Sequence, residues 1–566
     1  MNDKAHESSG KTAASDRGAA MSGTQTSPGG PLHRWGVTTW WVPVTIAEGI
    51  GSLIAVLVVW PSWWLLGALA VVLLLAAVVT FDQVTAAGWL ARATRFLWWR
   101  RRKGTRLTLA EPFEIIAPGI GAVGMRWDGQ YLVTMLALAG KPHMPTILDG
   151  PNARTFDTVP LQAIATVLRQ FGGIELESAD VLTVGRRAGM SAYAVEYDAM
   201  IGNRAAVGLR RTWLVLRLAP QGCLAGIAYR KSLTGAVAAA TERIRQSLIR
   251  AGCRATICDA AQVRSATATI AAGEKPGEVR ESWSRVAGDA GGFIGVYRVP
   301  AAALTTTLIN EVWSIPTERT VVAVRVTLDD GGAVRVGGLV RMHTPTEVLT
   351  PPLHALETLP GQAFDAWMAT LPAGERALRV AAPTRVLNSD SDLELPVGSS
   401  GPVVGVSEHS RAPMLVPMSD PVLPTLVSVT DDPVVLVQQV LRNAACGAQV
   451  TVFTDRPHLW APLHPAEVTI AGPDDEPDGP FVVWDRLSEE DSDIGRPVAT
   501  RGRTVLVVSS YPDLTADVIV DGDRAGSLKV TAGKKDPVRA QLQVMRTRTE
   551  ARFLDHAEAV AAGRGG

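Results

Sequence analysis

One apolar stretch constrains this chain more than any other feature. Residues 40–81 span 42 positions and contain a single ionisable side chain, Glu48. As one helix the stretch would be about 63 Å long, whereas the hydrocarbon core of a bilayer is only about 30 Å thick. Two spans of about twenty residues each, at about 40–59 and 62–81, fit better, and the sequence at 60–62 (Trp-Pro-Ser) suits a tight reversal. The stretch therefore predicts a two-helix transmembrane hairpin.

A secretory signal peptide is the competing interpretation of the same stretch. Its apolar core should be about 7 to 15 residues long and should follow only a few basic residues. Here 39 residues of polar leader precede a stretch several times too long. The fold class expected from the sequence is a membrane protein, with the hairpin followed by cytoplasmic α/β lobes built on mixed sheets.

Basic and aromatic residues flanking the two spans predict their orientation. Seven basic residues and no acidic residue lie between Arg92 and Arg106, whereas the turn at 60–62 is uncharged. Because positive charge favours the cytoplasmic side, we expect an inner-membrane, multi-pass protein with both termini cytoplasmic. Indole rings favour the headgroup level. The expected interface aromatics are Trp35, Trp40, Trp41, Trp60, Trp63, Trp64, Trp98 and Trp99.

The segment after the second span, residues 85–110, has the pattern of a basic amphipathic helix. Trp89, Ala93, Phe96 and Leu97 fall near helical spacing against an arginine face, as expected of a helix lying on anionic lipid. A helix packed on its own domain is the alternative. The predicted lipid contacts are Arg92, Arg95, Arg100, Arg101, Arg102 and Lys103.

Glu48 is the one polar position within the first predicted span. It would lie about 12 Å into that span, where an isolated charge costs several kcal/mol. It should therefore be neutral or face protein. A contact with another membrane subunit, a protonated carboxyl bonded to its own helix and a proton-transfer site all stay open. Two helices cannot enclose a substrate pathway, so a stand-alone transporter is not expected.

The remaining chain divides by composition and periodicity. Pro160 opens a helix with Leu161, Ile164, Leu168 and Phe171 on one face, and Gly-Gly ends it at 172–173. Pro433 opens another helix, and Asp329-Asp330-Gly331-Gly332 predicts a hairpin turn. The predicted domains are a disordered cytoplasmic leader at 1–34, the transmembrane hairpin at 35–84, the basic helix at 85–110, a first α/β lobe at 111–271, a β-rich middle region at 272–382 with a hairpin at 321–342, a Pro/Ser-rich linker at 383–424, and a second α/β lobe at 425–566 with an acidic loop at 471–501.

Charge and motif content argue against most catalytic classes. Lys plus Arg (55) equals Asp plus Glu (55), so bulk charge gives no reason to expect nucleic acid. The four cysteines form no CxxC pair and are expected as reduced thiols. Residues 119–124 fit the letters of GxGxxG but precede a strand rather than a helix. The patterns GxxxxGK[ST], HExxH and GxSxG do not occur. We therefore expect no catalytic residue, no cofactor and no metal site.

One acidic pattern supports an enzymatic alternative. Asp521-Gly522-Asp523 follows an apolar strand, and a DxD at that position can hold a divalent ion against a nucleotide-sugar diphosphate. A membrane-anchored glycosyltransferase-like enzyme is therefore the runner-up hypothesis. The competing interpretation is a hairpin turn, because Asp-Gly is a strong turn dipeptide and a strand resumes at Ser527. A lipid-regulated scaffold acting alone, based on Arg92 to Arg106, is a third possibility.

The order of these elements resembles the EccE family of the type VII (ESX) secretion apparatus. The resemblance rests on the hairpin with its Arg/Trp segment and on three later blocks: Met125-Arg126-Trp127-Asp128-Gly129-Gln130-Tyr131, the Pro160 helix leading into Gly173-Ile174-Glu175-Leu176, and Arg211-Thr212-Trp213. It implies a non-catalytic structural subunit, peripheral in a six-fold inner-membrane complex with EccB, EccC and EccD that exports WXG-type substrates. ATP hydrolysis would then belong to EccC.

Overall fold

The computed structural model describes residues 35–37, 79–81, 84–101, 108–230, 232–288, 292–348, 350–472, 475, 479–486, 496–523 and 526–563. The chain separates into two compact units, one up to Arg95 and one from Phe96 onward, and each is described by itself.

The first unit contains a small antiparallel sheet. Its strands are β1 (Trp35–Val37), β2 (Val79–Phe81) and β3 (Val84–Thr85). Trp35 pairs with Phe81, and Thr80 pairs with Thr85, so β2 lies in the centre. Helix α1 (Ala86–Arg101) begins directly after β3.

The predicted fold class, a membrane protein with an N-terminal transmembrane hairpin, is wrong. Within the part of the chain that the structure describes, no helix is both long enough and apolar enough to cross a bilayer. The last residues of the second predicted span, Val79–Phe81, form a strand rather than a helix. The error has a physical cause, because a hydropathy window reports how apolar a stretch is and does not fix its backbone conformation. The predicted inner-membrane, multi-pass localisation with both termini cytoplasmic rested on the same hairpin, so it falls for the same reason.

Several predictions lie outside the described residues. They are the leader at 1–34, the first span at about 40–59 and all of the second span before Val79. Glu48, Trp40, Trp41, Trp60, Trp63, Trp64, Arg102 and Lys103 fall there too.

The second unit is built from two large sheets and the helices that cover them. The strands and helices between 113 and 386 are β4 (Phe113–Ala117), β5 (Gly121–Asp128), β6 (Tyr131–Ala139), β7 (Thr146–Asp149), β8 (Asn152–Arg154), α2 (Leu161–Ala165), β9 (Arg169–Gln170), β10 (Ile174–Glu175), β11 (Ser178–Arg186), α3 (Ala192–Ile201), β12 (Leu209–Leu218), α4 (Leu224–Arg230), α5 (Leu233–Arg250), β13 (Arg254–Ile257), α6 (Ala260–Ala271), β14 (Arg280–Glu281), β15 (Val286–Ala287), β16 (Phe293–Val299), α7 (Thr306–Ser314), β17 (Arg319–Leu328), β18 (Val334–Thr344), β19 (Glu357–Thr358), α8 (Ala363–Ala369), α9 (Glu375–Leu378) and β20 (Thr384–Val386).

The remaining elements follow from residue 403. They are β21 (Val403–Ser407), β22 (Pro413–Leu415), β23 (Thr425–Thr430), α10 (Pro433–Ala445), β24 (Val450–Thr454), α11 (Pro457–Trp460), β25 (Val468–Ile470), β26 (Phe481–Asp485), β27 (Thr504–Ser509), β28 (Val518–Gly522), β29 (Ser527–Ala532), β30 (Val538–Gln543) and α12 (Ala551–Ala561).

The first large sheet has 13 described strands, and all of its pairings are antiparallel. Its order is β14-β15-β16-β18-β17-β11-β12-β6-β5-β4, with β13 also on β6, β19 on β16 and β20 on β18. Successive side chains alternate between two cores. On β12, for example, Leu214 belongs to the core beneath α5 and α7, whereas Val215 belongs to the core beneath α6 and α8.

The hairpin of β17 and β18 confirms the turn expected at 329–332. Asp329 Oδ1 accepts a hydrogen bond from the backbone N–H of Ala333 at 2.8 Å. Gly332 adopts a φ of 80°, a left-handed conformation that glycine adopts without a steric penalty. Local turn chemistry therefore sets the register of the two longest neighbouring strands.

The helix expected after Pro160 is shorter than predicted. Helix α2 ends at Ala165, and the chain then forms the β9–β10 hairpin. Leu161, Ile164 and Leu168 are buried as expected, but Phe171 lies at the hairpin tip and is 95% exposed. The prediction that Phe171 lies on the apolar face of this helix was wrong, because the helix ends at Ala165.

The second large sheet joins distant parts of the sequence. Its order is β25-β24-β26-β27-β23-β28-β29-β30-β21-β22-β7-β8. The strands from β25 to β28 run parallel, and the pairings beyond β28 are antiparallel. Strand β22 pairs with β7, a strand more than 250 residues earlier in the chain.

Helix α10 is the central helix of the second sheet. Pro433 occupies its first turn, and the Asp432 side chain accepts hydrogen bonds from the backbone N–H groups of Val434 and Val435. Every residue from Val434 to Ala445 is buried. Helices α3 and α12 pack against α10, so a helix from the first half of the chain completes the second core.

Candidate functional site

The second unit contains a cavity of about 340 Å³. It lies where β6 ends and β12 and β13 begin, and helix α6 and residues 397–399 and 417–422 complete its walls. Ala137, Ala139, Gly140 and Ala266 contribute small side chains, which leave room between these elements. We call it the cationic cavity, because Lys141, Arg210, Arg211, Arg254 and Arg501 also line it.

Asp157 supplies one of the two carboxylates in the cationic cavity. Its Oδ1 accepts a hydrogen bond from the backbone N–H of Lys141 at 3.0 Å. A Cβ atom at Gly140 would lie 1.4 Å from Oδ2, so only glycine leaves room for the carboxylate there. Burial raises the pKa of Asp157 to about 6, against the lowering effects of that hydrogen bond and of the nearby positive charge of Arg254.

Arg210 lies inside the cavity wall and is almost fully buried. Its Nη1 donates to the carbonyl oxygen of Gly398 at 3.0 Å, and its guanidinium lies 4.9 Å from the ring centre of Trp313. Its buried Nε has no hydrogen-bond partner within the described residues. Burial lowers the pKa of Arg210 to about 9, so the group is still cationic at neutral pH.

Arg254 and Asp420 hold the loop before β23 against the first sheet. Arg254 Nη2 lies 2.5 Å from Asp420 Oδ2, and Arg254 Nε donates to the carbonyl oxygen of Gly140 at 2.6 Å. Asp420 Oδ1 also accepts from the backbone N–H groups of Val422 and Leu423, each at 2.8 Å. Burial alone would raise the pKa of Asp420, but the Arg254 charge and these hydrogen bonds lower it overall. This pair is therefore internally neutralised.

Three further cations surround the cavity mouth. The side chains of Lys141, Arg211 and Arg501 are exposed. In the part of the chain that the structure describes, none of these three side chains forms an ion pair. With Arg254 matched by Asp420, the remaining lining charges are four cations and Asp157. The cavity is therefore net positive at neutral pH.

The chemistry of the cavity favours binding over covalent catalysis. Cys258 lines it, but burial raises the pKa of its thiol to about 12. A thiol at that pKa stays protonated at neutral pH and is a poor nucleophile. Guanidinium and ammonium groups over a floor of small side chains suit the retention of an oxyanion.

The acidic pair from the sequence lies in a hairpin. Asp521 is in β28, where it faces Lys529 across the ladder and accepts from the Thr430 hydroxyl at 2.8 Å. Asp523 Oδ1 accepts from the backbone N–H of Ser527 at 2.8 Å. The geometry matches the turn interpretation and gives the glycosyltransferase alternative no specific support.

The carboxyl ends of the parallel strands, where open α/β sheets commonly bind ligands, carry a compact charged cluster. Arg456 Nη2 lies 2.8 Å from Asp431 Oδ1 and 2.6 Å from Asp485 Oδ1. Trp460 Nε1 donates to Asp485 Oδ2 at 2.8 Å. The charged groups of this cluster are therefore paired with one another. Among the described residues, no three His, Cys, Asp or Glu side chains are grouped so as to hold a metal ion.

The predicted lipid-contact residues lie partly on α1. Arg92 lies 5.8 Å from the ring centre of Trp89, and Arg95 is exposed. Phe96 packs edge-to-face on Trp283 at 5.3 Å. The backbones of Trp98, Trp99, Arg100 and Arg101 belong to α1, and that of Trp35 belongs to β1. These residues are not part of the cationic cavity.

Sequence reasoning missed the cationic cavity altogether. Its charged residues are spread from Lys141 to Arg501, so no local motif joins them. One signal was present, because the mostly apolar segment 209–218 carries Arg210 and Arg211 side by side, with a third arginine at 217. Arginine in a buried strand indicates a partner or a site.

The family model and the similar proteins all belong to one family. Residues 206–299 match the EccE family model, which describes a translocon protein of the type VII ESX secretion system. The chain is 30% identical to the ESX-1 secretion system protein EccE1 of Mycolicibacterium smegmatis over 414 residues, which is 71% of this chain and 80% of that protein. It is 28% identical to EccE1 of Mycobacterium tuberculosis over 455 residues, 77% of this chain and 88% of that protein. It is also 28% identical to EccE5 of Mycobacterium marinum over 362 residues, 60% of this chain and 87% of that protein.

Proposed function

The chain belongs to the EccE family and is a component of an ESX type VII secretion system, and on that premise we propose that it acts as a non-catalytic structural subunit of the secretion complex. The observation that carries the proposal is the alignment with EccE1, which covers most of both proteins. Its partners in the complex would be the EccB, EccC and EccD proteins, and the exported cargo would be WXG-type substrates.

The chemistry of the described residues supports a structural role. The buried carboxylates of Asp420 and Asp485 are matched by Arg254 and Arg456. The cavity thiol of Cys258 is held protonated by burial. Side chains that are already ion-paired within the protein stabilise the fold, but they are poorly placed to transfer protons to a substrate.

A patch of exposed apolar side chains suits contact with another subunit. Phe171 is 95% exposed and Leu224 is 67% exposed. The two segments that carry them are in contact, since a Cβ atom at Gly173 would lie 2.4 Å from the Ala225 side chain. Large apolar side chains exposed on adjoining segments are candidates for a protein interface. We assign this patch, Phe171 and Leu224, to a neighbouring subunit.

The first experiment is affinity purification of the tagged full chain from its own host in a mild detergent, with native mass determination. We expect relatives of EccB, EccC and EccD in an assembly approaching the megadalton scale. Recovery of only a monomer or a homodimer would overturn the proposal.

A matched pair of variants locates the contact. The double substitution Phe171→Ser with Leu224→Ser should reduce recovery of the partners, because it removes apolar area from the patch. Phe156→Ser is the control, since Phe156 is 89% exposed elsewhere in the chain. Equal recovery from both variants would remove the patch from the proposal while leaving the subunit assignment to the first experiment.

We also propose that the basic segment of α1 and the residues after it contact anionic lipid. Arg92 and Arg95 and the further basic residues up to Lys103 support this, since juxtaposed cations contribute about 1 kcal/mol each at an anionic surface. The full chain should bind phosphatidylglycerol vesicles more weakly as salt rises, and charge-neutral substitutions at Arg92 and Arg95 should weaken that binding. Binding that salt does not alter would contradict the proposal.

A further inference from the structure

We propose that the cationic cavity is a binding site for a small organic phosphate monoester. Binding of such a ligand would be a property additional to the structural role in secretion. The inference rests on three independent properties of the cavity: its unbalanced charge, its size and floor, and a buried donor that lacks a partner.

The charge of the cavity is not balanced from within. Lys141, Arg211 and Arg501 line the mouth, and none of their side chains forms an ion pair within the described residues. Arg210 adds a fourth cation from inside the wall. Asp157 is the one carboxylate that is not already paired with an arginine of the lining. An anion entering the cavity therefore meets an attractive field.

The buried donor is Arg210 Nε. The Arg210 side chain is almost fully buried, and this nitrogen has no acceptor in the described part of the chain. Leaving a buried charged donor unsatisfied is costly, so such a group commonly marks a place where a ligand oxygen or a water completes the hydrogen bonding. Arg210 lines the cavity, which makes a ligand in the cavity a suitable source of that oxygen.

The number of donors favours phosphate over carboxylate. A carboxylate carries one negative charge and two acceptor oxygens, whereas a phosphate monoester carries between one and two charges and three strong acceptor oxygens at neutral pH. The unmatched cations of the lining, together with the buried Arg210 Nε, suit the second inventory better. Arginine forks in particular bind phosphate in a bidentate manner.

The size and the floor favour an organic ester over free phosphate. The cavity volume of about 340 Å³ falls within the range of ligand pockets and is far larger than one inorganic ion needs. Ala137, Ala139, Ala266 and Trp213 supply apolar surface to the lining of the same cavity. An organic group the size of a sugar or a nucleoside would cover this surface while its phosphate meets the cations.

Calorimetric titration of the full-length protein tests the proposal. The probes are adenosine monophosphate, ribose 5-phosphate, inorganic phosphate, adenosine and acetate, each at low and at moderate salt. We expect saturable binding of at least one of the two esters, weaker binding of inorganic phosphate, and no binding of adenosine or acetate. The affinity for the ester should fall as salt rises. Absence of saturable binding for both esters at millimolar concentration would overturn the proposal.

Variants distinguish the cavity from general surface charge. Arg211→Gln and Arg501→Gln should each weaken ester binding about tenfold, the loss expected for one charge-assisted hydrogen bond. Arg169→Gln is the matched control, because Arg169 is an exposed arginine outside the cavity. Equal weakening in all three variants would identify non-specific attraction and contradict the site.

A neutral blocking variant tests the location without changing charge. Thr256 is exposed and lines the cavity, so Thr256→Trp should fill part of it and abolish ester binding while leaving the melting temperature nearly unchanged. Ester binding that persists in this variant would place the ligand elsewhere and overturn the proposal. The subunit assignment is measured by co-purification and stands or falls independently of these titrations.

Discussion

Replacing Glu550 by glutamine should destabilise the fold by about 3–5 kcal/mol, the usual cost of removing one partner from a buried ion pair. Glu550 and Arg442 are both completely buried, and Arg442 Nε lies 2.7 Å from Glu550 Oε1. The pair joins α10 to the start of α12. Tyr193, from α3, donates its hydroxyl to the same carboxylate at 2.8 Å.

The magnitude follows from what glutamine can replace. Glu550 accepts from Arg442 Nε and Nη2, at 2.7 and 2.9 Å, and from Gln438 Nε2 at 3.2 Å. A glutamine keeps one acceptor oxygen and presents an NH₂ group where the second oxygen stood. Arg442 would keep its bonds to the carbonyl oxygens of Val403 and Met545 but lose its counter-charge in a buried position. The uncompensated cation dominates the cost.

Urea denaturation of the full chain, followed by far-UV circular dichroism, measures the effect. Glu558→Gln is the control, because Glu558 lies on α12 and pairs with Arg546 with both side chains about half exposed, 47% and 49%. Exposed pairs contribute about 0–1 kcal/mol, so the control midpoint should barely move. If Glu550→Gln cost less than about 1 kcal/mol, or no more than the control, the assignment of the pair as a buried clamp between α10 and α12 would be refuted.

Three further predictions use other parts of the chain. Burial raises the pKa of Asp157 to about 6 from its ordinary value of 3.8, so the stability that this group contributes is present below pH 4 and is lost as pH rises through 6. Asp157→Asn should therefore increase the free energy of unfolding at pH 7 by about 3 kcal/mol, which thermal melts would show as a higher melting temperature with a flatter pH dependence between 4 and 6. Asp432→Ala should cost about 1 kcal/mol by removing the α10 N-cap, whereas Asp432→Ser should cost much less, as measured by urea midpoints. The buried thiols of Cys253, Cys258 and Cys446, each with a pKa raised to about 12, should not react with Ellman's reagent at pH 8 until the chain is denatured, and rapid native labelling would contradict their burial.

Local features of the fold could be predicted because their determinants lie close together in sequence. The turn at Asp329 to Gly332 fixes the β17–β18 hairpin through bonds that span four residues. Asp432 and Pro433 mark the start of α10 through contacts within its first turn. Turn and cap chemistry of this kind operates over a few residues, so the sequence displays it directly.

Hydropathy proved a weaker guide than local turn chemistry. The apolar stretch at 40–81 predicted two helices, but its last three residues form a strand. The periodicity after Pro160 identified Leu161, Ile164 and Leu168 as core and was wrong for Phe171, because a helix had to continue past Ala165 for that residue to turn inward. Apolar content and spacing indicate what is buried only when the backbone conformation is already known.

The sequence by itself determined the family, the principal hairpin and the start of the central helix, since these depend on the order of elements and on neighbouring residues. Only the tertiary structure decided that β7 pairs with β22, that Tyr193 reaches Glu550, and that the charged residues from Lys141 to Arg501 line one cavity. The physical reason is separation along the chain. Contacts between residues hundreds of positions apart are selected by the burial of whole sheets and helices, and no local pattern records which distant partner a side chain will meet.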